Sequence, residues 1–80
     1  MTLPDRIDAK WIDSLADKDL VQAEWELHTA FDQAEAVEKQ RQGTAYNRMA
    51  WSEILMAAWL RWSLVQNATR ARGLHPRYRR

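Results

Sequence analysis

The sequence predicts an all-α fold: a long antiparallel helical hairpin carrying a short N-terminal helix, paired with a second copy into a four-helix-bundle-like assembly. Three observations predict it. Apolar residues recur at three- and four-residue spacing, and no alternating run bounded by turn residues reads as a strand. The two glycines of the chain, Gly43 and Gly73, fall where such helices would end. The last helical stretch is apolar over more of its circumference than a single neighbour can cover.

The first element is "LPDRIDAKWIDSL". Pro4 stands near a first-turn position, and Ile7, Trp11 and Leu15 are spaced four apart on one face, which predicts a helix over about 4–15. Projected on a helical wheel, that face is not continued by the apolar residues that follow. A break is therefore expected around 15–17, with Asp17 as the next N-cap and Asp19 in the first turn.

The second helix is expected over about 18–42. Its seam of Leu20, Ala23, Leu27, Ala30, Ala34 and Val37 alternates steps of three and four and is rich in alanine, which permits a close helical neighbour. Gly43 is the expected C-cap and Thr44 the N-cap of the third helix, over about 45–72. So short a connection favours an antiparallel hairpin. At the far end, Gly73, Leu74 and Pro76 together carry the signature of a glycine-based helix stop. Residues 1–72 thus form one helical domain, and 73–80 a basic C-terminal tail.

Eighty residues sit near the size at which one core barely offsets chain entropy. With no cysteine, disulfides and thiolate metal sites are excluded, so oligomerisation is the expected reinforcement. The composition, 46% apolar and 29% charged with five tryptophans, is that of a folded chain rather than a disordered one. No N-terminal apolar signal segment is visible. Residues 49–65 include Glu53 and Arg61 and fall short of a membrane span. A cytoplasmic location is expected. Nine arginines against three lysines, with abundant alanine, point to a GC-rich bacterial or phage genome.

The net charge of +1 conceals a division. Residues 1–42 hold ten acids and five bases, or −5; residues 43–80 hold one acid and seven bases, or +6. The bland reading is mutual attraction of the two arms of a hairpin or of two subunits. In such a hairpin turning at Gly43, Arg61 is expected level with residue 25 and ion-paired to Glu24 or a neighbouring carboxylate, its stem lying along apolar surface.

No catalytic, cofactor or metal site is predicted. Glu24, His28, Asp32 and Glu35 share a strip of the second helix, but a solvated polar face accounts for them without a metal. Serines 14, 52 and 63 lie in helical stretches and lack the glycine-rich turn that presents a nucleophile. The expected function is a small non-catalytic regulatory module, a homodimer that docks on a protein partner through Trp51, Leu55, Ala58, Trp59, Trp62 and Val65. The alternative is a nucleic-acid-binding dimer using Arg70, Arg72, Arg77, Tyr78, Arg79 and Arg80, since arginine forks suit phosphates and tyrosine can stack on a base.

Overall fold

A computed structural model describes residues 3–74, the side chains of residues 45 and 48 excepted. These residues form three α-helices, α1 (Ala9–Asp13), α2 (Asp17–Gln42) and α3 (Glu53–Ala71), with two short 3₁₀ turns at Gly43–Ala45 and Arg48–Ala50 between the last two. No strand occurs among them. The long helices α2 and α3 pack on each other and run antiparallel, as the pairs Glu38–Ser52, Phe31–Trp62 and Glu24–Thr69 show.

The first helix is shorter than the expected span of 4–15. Asp8, not the region of Pro4, opens it: the Asp8 carboxylate accepts from the Trp11 amide at 3.0 Å. Residues 3–8 cross the hairpin without helical structure and bury Ile7, while Ile12 is buried from α1 itself. Trp11 and Leu15 pack beside them on a core of Leu20, Ala23, Leu27 and Val65.

The break after α1 falls where the mismatch of apolar faces placed it. Ser14 closes α1, its hydroxyl donating to Trp11 O at 2.6 Å. Ala16 rather than Asp17 is the N-cap of α2, and no side chain caps it. Asp17 and Asp19 lie in the first turn instead, with Lys39 and Arg41 in the last, so both ends complement the helix dipole.

Gly43 ends α2 with a positive φ of 67°, the conformation that glycine adopts without a Cβ penalty. The chain then departs from expectation. Thr44 does not cap a helix; Ser52 does, accepting from the Leu55 amide at 3.2 Å. Helix α3 therefore has 19 residues, about 28 Å, and not the roughly 40 Å of a helix begun at 45.

The last turns of α2 account for the change, because they supply partners to the connector backbone. Gln42 bonds the amide and carbonyl of Asn47, Arg41 reaches Ala50 O at 3.1 Å, and Glu38 accepts from the Ser52 amide. Tyr46 donates to Glu35 at 3.0 Å and receives the Trp51 indole N–H at 2.7 Å.

Helix α3 stops as its sequence signature requires. Gly73 has a φ of 73°, its amide bonds Arg70 O, and the Leu74 amide bonds Thr69 O at 2.9 Å, with Leu74 packed on the core.

Candidate interaction surface

Helix α3 meets α2 along Leu55, Val65 and Thr69, all 1% exposed or less. Trp62 lies on the same side, stacked on Phe31 at 5.3 Å and edge-on to His28 at 4.9 Å, and Trp51 makes a T-shaped contact with Phe31 at 5.9 Å. Of the residues expected at an intermolecular interface, Leu55 and Val65 are thus core, and Trp62 packs within the chain. Trp51, Ala58 and Trp59 are half-buried.

The surface left uncovered is a different stripe. Met56, Leu60 and Leu64 follow one another at four-residue spacing on the side of α3 facing away from α2, and are 42%, 49% and 48% exposed. Ile54 on one flank and Met49 in the connector are more exposed still. Met49, Trp51, Met56 and Trp59 line a shallow apolar groove at the connector end of this stripe. The spacing of 56, 60 and 64 is legible in the sequence. What the sequence does not say is which of several apolar sides of α3 the second helix takes.

The expected Glu24–Arg61 ion pair is replaced by two separate hydrogen bonds. Arg61 Nη2 donates to Pro4 O at 3.1 Å, and the Glu24 carboxylate lies 2.6 Å from the Thr69 hydroxyl. The cause is register. With the connector extending from Gly43 to Ser52, residue 61 comes level with about residue 31 rather than 25, a displacement of about 9 Å along α2.

The polar strip on α2 does not converge on one point either. His28 faces Asp32 at 3.4 Å, Glu35 takes the Tyr46 hydroxyl and lies 3.9 Å from Lys39, and Glu24 turns inward to Thr69. Among the described residues no cluster of three or more histidine or carboxylate side chains is placed to hold a metal ion. Among the same residues no helix is long and apolar enough to cross a membrane.

Glu38 is the best-supplied carboxylate. It is 3% exposed and receives Arg41, Gln42 at 2.7 Å and the Ser52 amide. Hydrogen bonds from Arg41 first, then Gln42, outweigh burial and hold its pKa down at about 2.

No family model, curated protein or solved structure matches the chain.

The candidate nucleic-acid contacts divide. Arg72 is engaged inside the fold: its guanidinium donates to Leu15 O at 2.9 Å, Ile12 O at 3.0 Å and Asp17 at 3.0 Å. It ties the end of α3 to the turn between α1 and α2 and satisfies carbonyls at the end of α1. Arg70 is exposed. Arg77, Tyr78, Arg79 and Arg80 lie outside the described residues.

Proposed function

We propose that the protein is a non-catalytic interaction module that works as a homodimer, with two α2–α3 hairpins joined through the outer faces of α3 into a four-helix-bundle-like assembly. The observation that carries this reading is the uncovered stripe of Met56, Leu60 and Leu64. Together with Ile54 and Met49 it offers apolar surface on the order of several hundred Å², more than isolated exposed residues would explain.

A second copy suits the stripe because the stripe is complementary to itself. Leu60 lies at its middle, with Met56 and Leu64 one turn to either side. Glu53 stands at one end of α3 and Arg70 near the other. An antiparallel pairing about Leu60 sets Met56 against Leu64 of the copy, brings Glu53 towards the copy's basic end, and opposes the two helix dipoles. Parallel pairing would put like charges together. The groove of Met49, Trp51, Met56 and Trp59 borders this seam, and its residue types are those that dominate adaptable docking surfaces, which supports its use towards a protein partner.

The test is subunit number by sedimentation or light scattering. The wild-type chain is expected to be dimeric at tens of micromolar, and the double variant L60E/L64E monomeric with its helical content retained. A wild-type chain that stays monomeric at high micromolar concentration overturns the reading.

A further inference from the structure

Where residues 3–8 cross the hairpin, an apolar groove of about 400 Å³ lies between α2 and α3, its walls including Leu3, Leu27, Ala30, Ile54 and Ala58. Of the surface proposed for self-association it shares Ile54 and does not use Met49, Met56, Leu60 or Leu64. One charged residue lines it, Arg61. Arg61 Nη2 donates to Pro4 O at 3.1 Å, while its Nε is buried and has no acceptor. Among the described residues no carboxylate lies within ion-pair distance of this guanidinium.

Nε and Nη2 share the edge of a guanidinium that grips a carboxylate through two parallel hydrogen bonds. A single carbonyl oxygen occupies half of that edge. Arg61 is half-buried, and its Nε is a buried donor without an acceptor beside aliphatic walls, so one half of that edge is left for an anion to take. The walls state what should accompany that anion: aliphatic carbon, which gains by leaving water. A single guanidinium, with no second cation among the lining residues, suits a singly charged head rather than a phosphate.

We propose that this groove binds a medium-chain aliphatic carboxylate. The head group replaces the Pro4 carbonyl on the Nε–Nη2 edge of Arg61, and the chain lies between α2 and α3 towards Ile54. From residue 61 to 54 is about 10 Å along the helix, which accommodates roughly eight to ten carbons at about 1.25 Å each. Leu3 and Pro4 precede the first helix and belong to no regular element, so lifting the Pro4 carbonyl gives up one hydrogen bond that water replaces.

The experiment is isothermal titration of the full chain with monomeric decanoate and, in parallel, decanol. Decanoate is expected to bind saturably at one site per chain, and decanol roughly tenfold or more weakly, for want of the charge-assisted pair. R61Q should lose the preference for decanoate over decanol. A30W, placed on an exposed position of α2 that lines the groove, should abolish binding of both while circular dichroism stays unchanged. Absence of saturable decanoate binding overturns the proposal. So does equal affinity for acid and alcohol, or binding that survives A30W. The acid–alcohol comparison and A30W keep the test decisive even if R61Q is destabilised.

Discussion

The Thr69 hydroxyl lies 2.6 Å from Glu24 Oε1 and 2.8 Å from Gln66 O, so one hydroxyl proton serves two acceptors at a point where Thr69 and Glu24 are each 1% exposed. A carboxylate this deep is costly without donors, and Thr69 reaches it from the opposite helix. Thr69 follows the equally buried Val65 by one turn of α3. T69V keeps the shape and removes the donor. It should cost about 1–3 kcal/mol in urea unfolding, with T69S recovering most of that loss. A neutral T69V would mean that this hydrogen bond contributes nothing net. Arg72 illustrates the same scale differently: a residue that reads as a basic-tail contact instead has its donors fixed on α1 and α2.

At the scale of elements, the connector between α2 and α3 owes its path to side chains. Glu38 gathers Arg41, Gln42 and the Ser52 amide, and so links the end of α2 to the N-cap of α3. Its folded pKa of about 2 lies below the ordinary 4.5. Because the folded pKa is depressed, its stabilising contribution is complete above about pH 4.5 and is lost as pH falls towards 2. In acid titrations followed by tryptophan fluorescence, E38Q should be less stable than wild type at pH 7. The difference should shrink across that window. A gap that stays constant with pH would show that the charge on Glu38 is not what holds the connector. The α3 stop behaves otherwise. Its turn is made by Gly73 and backbone bonds with Leu74 beside it, which is why it is readable from a short stretch of sequence.

At the scale of the molecule, α3 carries two apolar faces, one buried against α2 and one exposed. Leu55 is 1% exposed and Leu60 49%, although the two lie five residues apart in one run. L55A removes core packing and should cost about 2–5 kcal/mol at any protein concentration. On the proposed dimer, L60A should leave the dilute chain nearly unchanged and lower thermal stability only at concentrations where copies would associate. Equal effects of the two substitutions, independent of concentration, would assign Leu60 to the core of a single chain.

The helical class, the break between α1 and α2, the stop at Gly73 and the antiparallel sense of the hairpin were all written in the sequence. The first three depend on residues within a few positions of one another, a change of apolar phase or a glycine free to take positive φ; the antiparallel sense holds although the connection runs from Gly43 to Ser52 and is longer than the sequence predicts. The start of α3, the side of α3 that meets α2, and the partners of Glu24, Arg61 and Arg72 were settled by tertiary structure. Side chains from α2 hold residues 46–52 outside the helix, and that longer connector sets the register of the whole hairpin. A shift of about six residues in register turned Arg61 from Glu24 to Pro4. The choice of face sent Leu55 and Val65 inward and left Met56, Leu60 and Leu64 outward. An apolar stretch such as "ILMAAWLRWSLV" contains both faces, and only the position of the neighbouring helix tells them apart.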